Sequence, residues 1–235
     1  MKNFLLIVWK WTKRIAIAFF ALSIFSVILF RFVPIPFTPL MLIRCVDQKL
    51  AGQSMKLDKT WESIDNISPN LPLAVFCSED QLFFTHHGFN FDAIKDAWHH
   101  DEHSKRIVGA STISQQTAKN VFLTINRSWI RKGFEAYFTV LIELIWSKKR
   151  IMEVYLNVVE LGKGIYGAEA ASEFYFHKHA KDLTKNEAAA LASILPSPLK
   201  WSPVKPGPYV QSRQDWIIGQ MNAYGTLDFA HPPKS

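Results

Sequence analysis

Four stretches of this sequence bring together residue types that do chemistry in company. The first is Glu79-Asp80-Gln81-Leu82-Phe83-Phe84-Thr85-His86-His87-Gly88. Glu79, Phe83 and His86 stand at i, i+4 and i+7, so on a helix they share one face. A carboxylate beside an aromatic ring loses water, and its pKa rises toward the range of a general base. Asp80 points away from that face. A surface acid at a helix end is the plainer reading of the same residues.

The second stretch is Gly109-Ala110-Ser111-Thr112-Ile113-Ser114-Gln115-Gln116-Thr117-Ala118-Lys119-Asn120. Ser111, Gln115 and Lys119 recur every four residues, with Thr112 and Gln116 beside them. Hydroxyls, amides and one ammonium on a single face suit sugar hydroxyls and phosphate oxygens. A wet helix face is the alternative. The third stretch holds Arg127 and then Arg131-Lys132-Gly133-Phe134-Glu135. Arg131 and Glu135 are also spaced for an ordinary helix ion pair. The fourth, Lys148 to Asn157, spaces Glu153 and Asn157 to brace neighbouring helices.

Helical signals surround these stretches. Ser68-Pro69 reads as a cap and first-turn proline opening a helix through LPLAVFCSEDQLFF. Asn90 is placed to cap FDAIKDAWHHDEH, and Ser111 or Thr112 to cap ISQQTAKN. Phe134, Phe138, Leu141 and Ile145 predict an amphipathic helix over 130–147, and a second follows over 150–160. Thr184 and Glu187 form a capping box before AAALASIL, which Pro196 ends. A short helix is expected near Arg213 to Tyr224. No run alternates with period two. The fold class expected is mainly α, in one compact domain.

The N-terminus carries a different signal. Ile15 to Phe30 is an uncharged run of roughly 24 Å as a helix, flanked by Lys13, Arg14 and Arg31, with Trp9 and Trp11 suited to an interface. Bulky Arg31-Phe32-Val33-Pro34 follows it, not a small-residue cleavage site, so an uncleaved anchor is expected. Lys2, Lys10, Lys13 and Arg14 precede the span, which places the N-terminus inside and the bulk outside. Pro34, Pro36 and Pro39 end the helix. The division expected is 1–35 for tail and anchor and 36–235 for the soluble domain. Ile35, Phe37, Leu40, Met41 and Leu42 read equally well as membrane-docking or core residues.

Composition narrows the partners. The chain has 235 residues, 49% hydrophobic, which excludes disorder as a general description. Net charge +7 suits nucleic acid, anionic membrane or a phosphate-bearing substrate. Cys45 and Cys77 form no CxxC or Cys/His spacing, so a zinc fold is excluded; two unpaired thiols are expected, with a single disulfide in an oxidising compartment as the alternative. His99 and His103 have metal-ligand spacing, but no metalloprotease motif accompanies them.

Taken in order, these stretches resemble the peptidoglycan glycosyltransferase family, whose domain also forms the N-terminal half of bifunctional penicillin-binding proteins. The pattern E-D-x-x-F-x-x-H-x-G is met at Glu79 to Gly88 and G-x-S-T-x-x-Q-Q-x-x-K-N at Gly109 to Asn120. R-K-x-x-E is met at Arg131 to Glu135, and K-x-x-I-L-E-x-Y-L-N at Lys148 to Asn157, with Met152 for leucine. Gly164 to Gly167 and Tyr175 to Ala190 look like a fifth block, where His177 stands in place of a common glycine. The resemblance runs from the anchor to near residue 225. No penicillin-binding half follows, so a monofunctional, biosynthetic member from a Gram-negative inner membrane is expected.

The resemblance implies a lysozyme-like helical fold and polymerisation of lipid II into glycan strands on the periplasmic side. It implies Glu79 as general base and Glu135 as a second catalytic group. Asp80, His86, Ser111, Thr112, Gln115, Gln116, Lys119, Asn120, Arg127, Arg131 and Lys132 would bind substrate, the cations serving the pyrophosphate. Glu135 would orient those cations, assist at the leaving group or hold a divalent metal (Mg or Mn), and no cofactor is required. The expected partners are lipid II, the growing strand, the membrane and other cell-wall synthesis and division proteins. Two rival readings share the features: a murein-cleaving lytic enzyme, which needs no pyrophosphate site, and a non-enzymatic tethered scaffold. Nucleic-acid binding would explain the charge but not the carboxylates, and it lies on the wrong side of the membrane.

Overall fold

The computed structural model describes residues 2–91, 111–124 and 128–231. It divides into two compact units, Met1–Pro34 and Ile35–Ser235. The first is one helix, α1 (Lys2–Phe32). Its Leu6–Phe32 segment, 27 residues with mean hydropathy 2.4, is long and apolar enough to cross a membrane. At 1.5 Å per residue it reaches about 40 Å, more than the ~30 Å hydrocarbon core. The helix thus extends beyond the uncharged run at both ends. Its basic residues sit over aromatic rings, Lys13 4.7 Å from Trp9 and Arg14 5.4 Å from Trp11.

The second unit is mainly α. Its helices are α2 (Pro39–Leu50), α3 (Asn70–Glu79), α4 (Ile113–Phe122), α5 (Trp129–Ile145), α6 (Lys148–Val158), α7 (Ala168–Phe176), α8 (Lys185–Ile194) and α9 (Pro208–Tyr224). Side chains cap most of their N-termini. Thr38, Ser128 and Ser147 cap α2, α5 and α6, and Thr112–Gln115 and Thr184–Glu187 form capping boxes on α4 and α8.

α3 lies at the centre of one layer. Leu71 to Cys77 are all buried, as expected for a helix apolar all round. α8 and α9 pack against it. The small residues Ala188, Ala189, Ala190 and Ala192 of α8, all buried, let that helix approach closely. α4 packs against α5, α6 and α2 and forms the neighbouring layer. Asn157 of α6 ties in the chain before α3: its Oδ1 accepts from Glu62 N–H at 2.7 Å, and its Nδ2 donates to Glu62 C=O at 2.7 Å. Glu153 accepts from Ile64 N–H at 3.0 Å. Both residues brace the fold, as their spacing predicted.

The structure departs from the sequence reading in four places. Ser68 does not cap α3; its hydroxyl donates to the Leu183 carbonyl at 2.7 Å, and Pro69 occupies the cap position with no side-chain bond. The same helix ends at Glu79 and does not run on to Phe84, because Asp80 leaves helical geometry at φ −161°, ψ 79°. A small sheet of β1 (Asp58–Lys59), β2 (Glu160–Gly162) and β3 (Ile165–Tyr166) was not expected, since strands of two or three residues are too short to show alternation. Its order is β1-β3-β2, with β1 parallel and β2 antiparallel to β3. Gly164 turns between β2 and β3 at φ +71°, where a Cβ would stand 2.3 Å from the Lys56 carbonyl oxygen. Finally, α9 is longer than predicted and begins at Pro208. The helix proposed after Asn90 lies outside the described residues.

The residues 35–42 divide between the two readings offered for them. Ile35, Leu40 and Met41 are buried, while Phe37 and Leu42 are exposed, joined on the α2 surface by Val46 and Leu50. Cys45 and Cys77 are free thiols, and burial pushes the Cys77 pKa up to about 11.

His177 closes α7 in the left-handed region at φ 56°, ψ 39°, and it is exposed. A side chain there costs about 1–2 kcal/mol relative to right-handed geometry. His177→Gly is therefore expected to stabilise the protein by about 0.5–1 kcal/mol after the entropy of glycine is counted. Thermal unfolding should show a rise in Tm of roughly 2 °C.

Candidate active site

Glu79 is the last residue of α3, and its position depends on the residue after it. The Asp80 carboxylate is buried. It accepts from the Ile113 N–H, the first of α4, at 3.0 Å and from His86 Nε2 at 2.9 Å. His86 Nδ1 accepts from the Gly88 N–H at 3.1 Å, so in the neutral ring Nε2 carries the proton. Gly88 has φ +90°, and a Cβ there would lie 2.7 Å from Thr139 Cγ2. Its carbonyl accepts from the Thr112 hydroxyl at 2.7 Å. Lys148 donates to the His86 carbonyl at 2.8 Å, and its ammonium stands 4.7 Å from the Phe83 ring. The segment after α3 is thus laced to α4 and α6.

This arrangement aims Glu79 at α4 and α9. Gln116 Nε2 donates to one carboxylate oxygen at 3.0 Å, and Arg213 Nη2 donates to the other at 3.0 Å. The Tyr155 hydroxyl donates to Gln116 Oε1 at 3.1 Å, which orients the amide so that its NH2 faces Glu79. The Glu79 side chain is 13% exposed. Burial pushes its pKa up, and the bonds from Gln116 and Arg213 act against that rise. Tyr155 is itself pushed well up, by burial and then by the charge of Glu79, so its hydroxyl stays a donor. The desolvation expected of Glu79 is therefore present but has a different source. Glu79, Phe83 and His86 do not share a helix face, and Phe83 packs against Phe84 and His86.

Gln116 also lines a cleft of about 400 Å³. Ser111, Lys119, Asn120, Arg131, Lys132 and Glu135 line it with Gln116, so α4 and α5 supply most of its polar wall. Glu135 is buried and accepts from Arg131 Nη1 at 3.1 Å and from the Lys132 ammonium. Burial lowers the pKa of Lys119; Glu135 raises it, and Arg131 and Lys132 lower it further. Among the described residues the buried Arg131 Nε has no acceptor. A cleft lined by more cationic than anionic groups is suited by charge to a polyanion. On the facing side Arg44 holds Glu160 through two bonds of 3.1 Å each.

The predicted site residues separate by role. Gln115 borders the cleft, but its side chain closes the capping box with Thr112, and Thr112 is buried. Asp80 and His86 lie inside the protein with their polar atoms committed to each other and to backbone. Arg127, His99 and His103 lie outside the described residues. Sequence reasoning missed Arg213, which is far from the motifs in the chain, and Tyr155, whose motif position was on view without a role. A metal on Glu135 does not fit the donor set: one carboxylate, both of whose oxygens are held by cations that would repel a second one. Among the described residues the grouping with convergent ligand atoms is Glu169, Glu173 and His179, which does not border the cleft.

A transglycosylase family model matches residues 47–222 of this chain. The protein is an enzyme of the glycosyltransferase class. It is similar to biosynthetic peptidoglycan transglycosylases of Bacteroides thetaiotaomicron, 51% identical over 91% of this chain and 86% of the relative, and of Haemophilus influenzae, 49% identical over 94% and 93%. That of Caulobacter vibrioides is 55% identical over 80% of each. The chain belongs to the biosynthetic peptidoglycan transglycosylase family, and its mainly helical fold with one long apolar N-terminal helix agrees with that membership.

The raised pKa of Glu79 has a consequence for stability. Its carboxyl holds a proton more tightly folded than unfolded. The stability this contributes is fully present below the ordinary value of 4.5 and is lost as pH rises through the folded pKa. The stability of the wild type relative to Glu79→Gln should therefore fall as pH rises above 4.5. Thermal unfolding of both proteins in one detergent across pH 4.5 to about 7 measures this; a difference independent of pH would contradict it.

Proposed function

We propose that this enzyme polymerises lipid II, with Glu79 as general base and the cationic cleft as the site of the departing pyrophosphate. Glu79 takes the proton from the 4-hydroxyl of the acceptor sugar. That oxygen attacks the anomeric carbon of the lipid-linked growing strand, the C–O bond to pyrophosphate breaks on the opposite face, and the configuration inverts. Undecaprenyl pyrophosphate leaves with its electron pair. The observation that carries this reading is Gln116. One side chain of α4 both borders the cationic cleft and bonds the buried carboxylate at the end of α3, so α4 links the base to the leaving-group site.

Each group then has a task. Lys119, Arg131 and Lys132, and Arg127 as its motif implies, stabilise charge developing on the leaving phosphates. Glu135 orients Arg131 and Lys132 and takes no proton from substrate. Ser111, Gln116 and Asn120 position sugar and phosphate. Asp80, His86, Thr112 and Gln115 act one step back, holding Glu79 and the start of α4. This assigns them positioning roles in place of the direct substrate contacts expected from the motifs.

We further propose that residues 1–35 form a cytoplasmic tail and single inner-membrane anchor, with 36–235 in the periplasm. The basic residues before the span support that orientation. The substrate's lipid tail stays in the bilayer, so anchoring turns a search in volume into a search on a surface. Other cell-wall synthesis and division proteins are the expected protein partners.

The test is full-length protein in detergent with lipid II, and in parallel with isolated cell wall. Glycan polymer should form from lipid II, and Glu79→Gln should lower its rate by about 10²–10⁴-fold. A chelator should leave the rate within about twofold, because no step of the reading needs a metal. Release of soluble muropeptides without polymer would support the lytic rival and sink this proposal. An undiminished rate for Glu79→Gln would remove Glu79 as the base.

A further inference from the structure

Resting on the reading of Glu79 as the base, we infer that Arg213 of α9 is a positioning residue for the reaction: it holds the Glu79 carboxylate in place and in the anionic form a base needs. The geometry is specific. One nitrogen, Nη2, donates both to Glu79 Oε1 at 3.0 Å and to the Ser78 carbonyl at 3.3 Å. The guanidinium therefore grips the end of α3 by its backbone and its last side chain together. Gln116 holds the other carboxylate oxygen from α4. Each oxygen has two acceptor positions, so two bonds fix the orientation of the group and still leave room for a substrate hydroxyl.

The need for such a partner follows from where Glu79 sits. It is buried, which disfavours its charge. It is also at the C-terminus of α3, where unsatisfied carbonyls carry partial negative charge and disfavour a carboxylate again. A cation bonded to both the last-turn carbonyl and the carboxylate offsets the two effects at one point. The Arg213 side chain is 20% exposed, and its Nε is buried with no partner among the described residues, so solvent screens the pair only in part.

The other groups near Glu79 do not duplicate this role. From α6 comes Tyr155, a neutral donor to Gln116. From α4 comes Lys119, whose pKa registers the charge of Glu79 but which makes no bond to it. α8 also packs on α3, but its charged residues face elsewhere: Lys185 bonds Asn222, and Glu187 bonds Lys178 and Thr184. On α9 itself Asp215 bonds Gln211. Arg213 is the cation hydrogen-bonded to Glu79 among the described residues.

The experiment compares wild type, Arg213→Gln, Arg213→Lys and Glu79→Gln, all full length, in lipid II polymerisation from pH 4 to about 9. Arg213→Gln should move the acid limb of kcat/KM upward by about one pH unit or more, since a neighbouring arginine lowers a carboxyl pKa by about 1–3. Arg213→Lys keeps the charge but not the planar guanidinium that places Nη2 between the two acceptors; its acid limb should stay near that of wild type, with kcat reduced several-fold and KM little changed. A folded Arg213→Gln enzyme whose acid limb is unmoved overturns the inference. If Arg213→Gln does not fold, Arg213→Lys decides: wild-type kcat in that variant overturns positioning by the guanidinium. Glu79→Gln separates the two failures, because full activity there removes the base assignment itself, whereas an inactive Glu79→Gln beside an unmoved Arg213→Gln profile removes only the role of Arg213.

Discussion

The buried carboxylate of Asp80 is the interaction on which the site depends. A charge taken out of water must be matched at once by donors, and few positions in a protein supply them. Here the donors are His86 Nε2 and the backbone N–H of Ile113. Meeting that demand breaks α3 after Glu79, folds the next residues back, and joins them to the first turn of α4. Two helices far apart in sequence are thereby locked end to start. With Asp80 held in this way, Glu79 and Gln116 face each other across 3.0 Å.

The same logic extends outward in shells. Gly88 fits against Thr139 only because it lacks a Cβ, and its carbonyl takes the Thr112 hydroxyl. Lys148, from the motif on α6, reaches the His86 carbonyl and Glu143. Motifs that look separate along the chain are therefore one polar structure, and much of their chemistry is directed at each other. Only a part of each faces the cleft. The result is a frame around a carboxylate made reluctant to ionise by burial and, in the adjoining cleft, a set of cations in excess over the acids beside them.

Charge balance distinguishes the two glutamates. Glu135 is surrounded by the cations of its own helix and serves as their counter-charge, which leaves Arg131 and Lys132 fixed in direction and still in net excess with Lys119. Among the described residues Glu79 has one bonded cation, Arg213, which comes from α9 and not from the helices that line the cleft. Two acids of equal chemistry thus acquire opposite tasks from their surroundings. The exposed apolar residues Phe37, Leu42, Val46 and Leu50 of the α2 region leave one side of the domain compatible with a lipid surface, while Ile35 and Met41 anchor that region to the core.

Much was legible in the sequence. The apolar run after Lys13 and Arg14 determined a long N-terminal helix, because a helix satisfies its own backbone and needs no partner to be recognised. Caps at Thr112 and Thr184, the amphipathic α5 and the bracing by Glu153 and Asn157 were readable because each rests on contacts a few residues apart or on an ordered motif. Other features were settled by tertiary structure alone. The end of α3 at Glu79 depends in part on a donor 33 residues away, the Ile113 N–H. The short sheet has too few residues to signal itself. Arg213 meets Glu79 across 134 positions of chain, a distance over which no local pattern operates. Local spacing states which residues are suited to a task. Which of them are spent on holding one another, and which remain for substrate, is determined by burial and by the pairing it forces, and those exist only once the chain has folded.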